Sequence, residues 1–360
     1  MSATPVWKKF MRIDVALLIL ACLLALVNRR LGLEMVDPMR GVMVFAILAL
    51  GLNIVTGFTG LLHLGMAAFM AIGAYAFAIS SCDIYPFQLG FWWGILFTAI
   101  VGAFAGVLLG APTLGLRGDY LAIVTLGFGE ITQDVLKNMD VITKGTQGIN
   151  PLPAPYVPWW SDGGLIIFEF ASDQELPWYW LFLGFVVVAV VVCRNLERSR
   201  TGRSWLAVRE DQLAAQCMGM APVPVKMIAF ATGAALAAVA GGLWASMYSS
   251  TGEPGNYDFQ ISILALCIVI VGGMGSINGV LVGSIAMIGI ANIALPKIAG
   301  AMQNAGWIVS GSVFGSPNNW KYLVFGLVLV LMMRFRPDGL LPAKLSLVSA
   351  KKKNQVESTP

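Results

Sequence analysis

Long apolar runs separated by short polar breaks are the feature that most limits how this chain can fold. About 20 mainly apolar residues cross the hydrocarbon core of a bilayer, because the core is about 30 Å thick and an α-helix rises about 1.5 Å per residue. Of the 360 residues, 58% are hydrophobic and 12% are charged, whereas soluble domains carry about 25% charged residues. The excess of apolar surface predicts an all-α integral membrane protein, a polytopic bundle surrounded by lipid.

About ten segments qualify as transmembrane helices, several of them short. They are residues 13–27, 41–55, 61–80, 89–111, 119–139, 178–193, 226–249, 261–272, 279–294 and 322–333. The first segment also resembles a signal peptide, because basic residues precede its short apolar run. No small-residue cleavage site follows it, so we expect a retained membrane anchor.

The distribution of Lys and Arg predicts the orientation, because cytoplasmic segments of membrane proteins are enriched in these residues. With ten spans and the N-terminus inside, most of the 23 Lys and Arg residues lie on the cytoplasmic side, many of them in the loop 194–225. The charges of the longest outer loop, 140–177, are mainly acidic. We therefore expect a transmembrane domain over 1–345 with both termini cytoplasmic, a periplasmic loop at 140–177, and a basic, disordered cytoplasmic tail at 346–360.

Two glycine-rich turns, 57–60 and 272–279, each join one predicted span to the next on the cytoplasmic side. Close helix packing accounts for most of the 40 glycines of the chain, since small residues let helix backbones approach each other in a membrane. Such turns can also present backbone amides and carbonyls to a polar solute, provided that they line a cavity. The candidate path residues in these turns are Gly57, Gly60, Gly273 and Gly275.

Ionisable residues at membrane depth give further candidates for the path. Glu130 lies about 16 Å beyond Asp119 at 1.5 Å per residue, near the bilayer midplane. A carboxylate there costs about 3 kcal/mol and should face the bundle interior or a cavity. Asp134 follows on the same face, within reach of Lys137. These groups either hold helices together through ion pairs and hydrogen bonds, or line the solute path together with Thr125.

Catalytic chemistry has no candidate residues in this sequence. Five scattered cysteines and the single histidine, His63, form neither a disulfide framework nor a metal site. No Gly-x-x-x-x-Gly-Lys-Ser/Thr phosphate loop is present. We therefore predict no enzyme activity, no cofactor and no metal, with His63 as a packing or hydrogen-bonding residue. The net charge of +4 is too small to indicate a nucleic-acid partner.

The loop 194–225 is the most informative polar segment. Its central part, 202–219, should form one short helix, because glycines bracket it and no proline interrupts it. Charged residues share this segment with Trp205, Leu206 and Leu213, so it can lie on the inner face of the membrane and contact a partner. A solvated connector is the alternative interpretation.

Residues 213–219, Leu-Ala-Ala-Gln-Cys-Met-Gly, are similar to the E-A-A-x-x-x-G pattern in the coupling helix of ABC importer permeases, with leucine in place of the glutamate. Four stretches, 52–75, 116–131, 207–211 and 335–342, resemble one subfamily more closely, the LivM-type permeases of branched-chain amino acid importers. This resemblance covers the chain from about residue 40 to 342.

The resemblance implies a multi-pass permease of the bacterial inner membrane that works by alternating access and binds no ATP itself. Its partners would be two cytoplasmic ATPase subunits, a second permease of the same type and a periplasmic solute-binding protein. Urea and short-amide importers use related permeases, and a stand-alone secondary transporter is the rival from another class. The residues that the resemblance assigns to contact with the ATPase are Arg209, Glu210, Asp211, Ala214, Ala215 and Gly219.

Overall fold

The computed structural model describes residues 36–113, 119–161, 164–170, 175–304 and 317–342. Its elements in chain order are α1 (Val36–Leu52), a π-helical segment (Asn53–Phe58), α2 (Met66–Ser81), α3 (Phe91–Thr113), α4 (Asp119–Asn138), α5 (Asp140–Thr143), a 3-10 turn (Gly145–Gln147), β1 (Tyr156–Ser161), β2 (Gly164–Glu169), α6 (Glu175–Arg198), α7 (Arg200–Glu210), α8 (Gln212–Cys217), α9 (Pro222–Met247), a 3-10 turn (Pro254–Asn256), α10 (Phe259–Gly272), α11 (Ile277–Gly289), a second π-helical segment (Ile290–Ala294), α12 (Leu295–Asn304) and α13 (Pro317–Phe335).

Within these residues, six helical stretches are long and apolar enough to cross a membrane. They are Val36–Phe58, Phe91–Thr113, Leu176–Arg198, Pro222–Met247, Pro254–Gly272 and Ile277–Met302. The other predicted spans from 41–55 onward also correspond to helices: α2 is apolar with 16 residues, α4 has 20 residues and carries charges, and α13 has 19 residues. The predicted span 13–27 and the tail 346–360 lie outside the described residues.

Helix α9 is the packing centre of the bundle, in contact with α1, α2 and α3. These contacts bring backbones together where the residues are small. A Cβ added at Gly51 would lie 2.6 Å from the carbonyl oxygen of Gly233, and one at Gly73 would lie 2.1 Å from that of Ala238. Glycine is therefore required at these crossings, as expected where helices pack closely in a membrane.

The stretch Val36–Phe58, which joins α1 to the first π-helical segment, is enclosed by the rest of the chain. Its most apolar window is buried completely within the subunit. Because α1 has no lipid-facing side, its sequence is apolar all round, as expected for a helix buried on every face.

The two ends of the bundle are built differently. At the end that carries α7 and α8, here called the coupling end, the guanidinium of Arg194 donates to Asn278 Oδ1 at 2.9 Å. At the opposite end, here called the hairpin end, Trp92 Nε1 donates to the carbonyl oxygen of Tyr156 at 2.8 Å, and the Leu152 amide donates to the carbonyl oxygen of Ser249 at 3.0 Å.

The strands β1 and β2 depart from the all-α expectation, which is wrong for this loop. They pair antiparallel, from Tyr156 opposite Glu169 to Ser161 opposite Gly164. Aromatic and β-branched residues fill the two strands, and an Asp-Gly pair lies between them, a combination that favours a tight hairpin. The fold is therefore nearly all helical, with one hairpin outside the bundle.

Candidate coupling and translocation site

The segment 202–219 forms part of two helices, so the expectation of one helix is wrong. Residue Asp211 separates α7 from α8, with an extended backbone at φ −155° and ψ 110°. Its carboxylate accepts hydrogen bonds from the amides of Leu213 at 2.8 Å and Ala214 at 3.0 Å. An aspartate that caps a helix start in this way stops the preceding helix from continuing through it. Gly219 ends α8 with φ +83°, where the chain turns toward α9.

Buried and exposed apolar residues divide this helix pair into two sides. Trp205 and Val208 of α7 and Ala215 of α8 are buried against the bundle. Leu213 and Met218 are 71% and 81% exposed. The side of the pair that faces away from the bundle is therefore partly apolar.

Arg209 faces the membrane bundle, a contact that the sequence did not predict. Its guanidinium donates a hydrogen bond to the carbonyl oxygen of Gly57. Its aliphatic carbons pack against Gly60, which has φ +72° and would place a Cβ 3.0 Å from Arg209 Cγ. The neighbouring ring of Trp205 stacks on Phe58, with the ring centroids 6.3 Å apart and the planes inclined by 8°. Two side chains of α7 therefore hold the π-helical segment Asn53–Phe58.

The two glycine turns meet at the coupling end. Asn53 Oδ1 accepts a hydrogen bond from the Gly275 amide at 2.8 Å. A Cβ added at Gly57 would lie 2.6 Å from the same Gly275 nitrogen. These contacts leave no side-chain-sized gap between the two turns where Gly57 meets Gly275.

The segment that follows α13 also contacts the second glycine turn. The amides of Leu340 and Leu341 donate to the carbonyl oxygens of Val271 and Gly272 at 2.9 and 3.0 Å. Gly273, with φ +119°, approaches the Leu341 carbonyl oxygen so closely that a Cβ would lie 2.6 Å from it. The chain after α13 is therefore attached to the turn between α10 and α11.

Thr125 and His63 have internal partners in the loop between the π-helical segment and α2. The Thr125 hydroxyl donates to the Ala122 carbonyl at 3.0 Å and accepts from the Leu64 amide at 3.1 Å. His63 Nδ1 accepts from the Gly65 amide at 3.1 Å, and its ring packs against neighbouring aromatic rings. Thr125 thus holds this loop against α4, and His63 packs it against Phe69 of α2 and Phe230 of α9.

Glu130 and Asp134 do not face the interior of this bundle, and that expectation is wrong for the subunit by itself. Both are exposed on one side of α4, together with Ile131, which is 63% exposed. The other side of the helix is buried, where Gln133 Nε2 donates to the carbonyl oxygen of Tyr257 at 2.8 Å. The expectation that Asp134 pairs with Lys137 is also wrong for this helix. Lys137 Nζ lies 3.5 Å from Gln133 Oε1 instead.

Sequence reasoning missed Asn53 as a connecting residue. An amide side chain inside a strongly apolar run is a signal, because a polar group at membrane depth needs a partner. The sequence does not say which partner it takes, since Gly275 lies 222 positions away.

The family model for the branched-chain amino acid transport system permease component matches residues 35–333. The high-affinity branched-chain amino acid transport system permease protein LivM of Salmonella typhimurium is 38% identical over 320 residues, covering 85% of this chain and 70% of the relative. LivM of Escherichia coli is also 38% identical, over 83% of this chain and 68% of the relative. BraD of Pseudomonas aeruginosa, another high-affinity branched-chain amino acid permease, is 27% identical over 82% of this chain and 91% of the relative.

No solved structure matches the chain. The permease relatives do not favour the two alternatives, a urea or short-amide permease and a stand-alone secondary transporter. With six apolar spanning helices in its described part, the chain is a multi-pass inner-membrane protein. It belongs to the family of branched-chain amino acid transport system permease components.

Proposed function

We propose that this chain is a permease subunit of an ATP-driven importer and forms part of the path for branched-chain amino acids. Its partners in this proposal are a second permease, two cytoplasmic ATPase subunits and a periplasmic solute-binding protein. The similarity to LivM supports the substrate class. LivH, a second permease protein whose Salmonella typhimurium form is 24% identical over 82% of this chain, supports a pair of related permeases.

The proposed topology has ten spans in a domain over 1–345, with both termini cytoplasmic. The coupling end faces the cytoplasm in this arrangement, and the loop 140–177 faces the periplasm. The Lys and Arg residues of α6 and α7 support this orientation, because cytoplasmic loops are enriched in these residues.

The exposed side of α8 is the proposed ATPase-binding surface, and its exposed Leu213 and Met218 are the observation that carries the function. A permease that hydrolyses no ATP must receive work through a contact on the cytoplasmic side. Exposed Ala214 belongs to the apolar part, and exposed Glu210 and Gln216 adjoin it. An apolar centre with a polar rim is typical of a protein–protein interface.

Arg209 and Trp205 are the proposed transmission link between that surface and the membrane. A displacement of α7 would be passed to Gly57 through the Arg209 hydrogen bond and to Phe58 through the Trp205 ring. Gly57 lies against Gly275, so the same displacement reaches the turn between α10 and α11. Alternating access would then open the coupling end by separating the two glycine turns.

The exposed side of α4 is the proposed contact with the second permease. An ionised carboxylate that faces hydrocarbon costs about 3 kcal/mol, so Glu130 requires a polar surrounding in the membrane. A second permease placed against this side would cover Ile131 and enclose Glu130 and Asp134 in a shared polar path.

Reconstitution of the importer in proteoliposomes tests the proposal. With the two permeases, the ATPase subunits and the binding protein, we expect ATP-dependent uptake of labelled leucine and no uptake of urea or acetamide. Leu213→Glu should release the ATPase subunits during purification and abolish uptake, because a buried unpaired charge at an interface is strongly unfavourable.

Ile84→Glu is the matched control for this variant. It places the same charge at an exposed apolar position of the hairpin end, where Ile84 is 51% exposed. ATPase retention at the wild-type level in Leu213→Glu would refute the proposed surface. Uptake of urea in place of leucine would refute the substrate class.

A further inference from the structure

A cavity of about 480 Å³ opens at the hairpin end of the bundle. Its walls come from the start of α1, the end of α9, the second π-helical segment with the start of α12, and the start of α13. The lining residues used below are Asp37, Gly41, Trp244, Tyr248, Asn292 and Lys321. Its volume falls within the range of small-molecule binding sites, about 300–1,000 Å³.

Charges of opposite sign border the cavity on different helices. Asp37, in the first turn of α1, is paired with the mostly buried Arg40, but its side chain remains 59% exposed. Lys321 lines the cavity from α13 and is only partly exposed. A molecule that fills the cavity can therefore meet a carboxylate on one side and an ammonium group on the other.

An aromatic wall closes a third side. The Trp244 and Tyr248 rings contact edge to face, with centroids 4.9 Å apart, and Phe45 packs on the other side of Trp244 at 5.7 Å. Met247 lines the same wall. The wall is apolar and held in place by neighbouring rings, as expected of a surface that receives an aliphatic side chain.

The second π-helical segment, Ile290–Ala294, contributes the amide of Asn292 to this cavity. Single π-helical turns within α-helices are frequently found at functional sites. Gly41 has no side chain, and a Cβ added there would lie 3.5 Å from Asn292 Nδ2. A glycine and a π-helical turn thus lie next to each other in the cavity wall.

We infer that this cavity is a binding site for a zwitterionic amino acid with an aliphatic side chain. Lys321 pairs with its α-carboxylate, Asp37 pairs with its α-ammonium group, and the wall of Trp244 and Met247 receives its side chain. Asn292 and Tyr248 supply further polar contacts. The inference deepens the proposed function, on which it rests, by giving the substrate a location in this subunit on the proposed periplasmic side.

Equilibrium binding to the assembled permease–ATPase complex in nanodiscs, without the solute-binding protein, tests the site. The probes are L-leucine, leucinol, which lacks the carboxylate, and 4-methylpentanoate, which lacks the ammonium group. Lys321→Gln and Asp37→Asn should each weaken leucine binding about tenfold or more, because each removes one charge partner. Leucinol should bind Lys321→Gln as it binds the wild type, and 4-methylpentanoate should bind Asp37→Asn as it binds the wild type.

Two control variants remove a charge away from the cavity. Lys297→Gln and Asp83→Asn act at exposed positions that do not line it, and leucine binding should be unchanged in both. Leucine affinity at the wild-type level in Lys321→Gln and Asp37→Asn would overturn the inference, as would equal losses for all three probes. If the wild-type complex still imports leucine in that case, the proposed function stands while the cavity assignment fails.

Discussion

The coupling end and the hairpin end of the bundle each contain a π-helical segment with an asparagine, but the two asparagines have different surroundings. Asn53 is buried, and its oxygen accepts a hydrogen bond from the Gly275 amide. Asn292 is exposed and lines a cavity of about 480 Å³. A π-helical segment with an asparagine thus makes a buried contact at one end of the bundle and lines a cavity at the other.

The difference comes from what lies opposite each segment. At the coupling end, Gly57 faces the backbone of Gly275, so these two segments of the chain touch without side chains between them. At the hairpin end, residues of several elements, including Gly41, Trp244 and Lys321, line a cavity. The glycine turns are thus in direct contact at the coupling end, whereas a cavity lies at the hairpin end. Substitutions at matched glycines test this difference between the two ends.

Gly57→Ala should have the largest effect. The new Cβ would lie 2.1 Å from Asn53 Oδ1 and 2.6 Å from the Gly275 nitrogen, so the turns must separate. Overpacking of this kind costs about 1–3 kcal/mol or more. We expect a clear loss of thermal stability and of leucine uptake, measured by size-exclusion after heating and by transport in proteoliposomes.

Gly184→Ala is the control for Gly57→Ala, because a Cβ there meets nothing within 4 Å. Its stability should equal or exceed that of the wild type, since alanine is the better helix former. Wild-type stability in Gly57→Ala would show that the coupling end is not closely packed.

Arg209→Ala should have an intermediate effect, which lowers leucine uptake without releasing the ATPase subunits. It removes the hydrogen bond to Gly57 but leaves the exposed side of α8 unchanged. We expect normal retention of the ATPase subunits and a decrease in leucine uptake of about tenfold, within the usual range of coupling between sites. The ratio of ATP hydrolysed to leucine imported should rise.

Arg203→Ala provides the comparison on the same helix, since Arg203 donates to the carbonyl oxygen of Arg198 at 3.1 Å rather than to the membrane turn. Its uptake should stay near the wild-type value. Loss of the ATPase subunits from Arg209→Ala would instead identify Arg209 as a docking residue.

Gly41→Ala should have the smallest effect, and it should raise the thermal stability rather than lower it. Its Cβ would make an ordinary contact, 3.5 Å from Asn292 Nδ2. Replacing glycine by alanine inside a helix stabilises it by about 1 kcal/mol. A small rise in thermal stability is therefore expected, and a loss comparable to that of Gly57→Ala would remove the distinction between the two ends.

Six predicted spans coincide with described helices that are long and apolar enough to cross a membrane, because the bilayer thickness sets the length of an apolar run. Which side of each helix is buried could not be predicted from the sequence. Membrane helices are apolar on both their lipid-facing and their protein-facing sides, so periodicity does not distinguish them. For this reason the position of Glu130 on the exposed side of α4 could not be predicted from the sequence.

Local and long-range contacts account for the other differences. The break at Asp211 depends on a capping hydrogen bond that competes with helix continuation. The meeting of the two glycine turns depends on tertiary packing between distant segments. Sequence identified both turns as special, but their mutual contact through Asn53 and Gly275 required the folded chain.

The enclosed stretch Val36–Phe58 has a mechanical consequence, since one continuous helical rod borders the cavity with Gly41 and receives α7 at Gly57. These two points are about 24 Å apart at 1.5 Å per residue. Because the backbone hydrogen bonds of a helix resist changes in its length, a displacement of Gly57 under the proposed coupling would be carried along this stretch to the cavity wall. The nucleotide cycle and the occupancy of the cavity would then act on opposite ends of the same helical stretch. A shift of one end along the membrane normal would shift the other end as well.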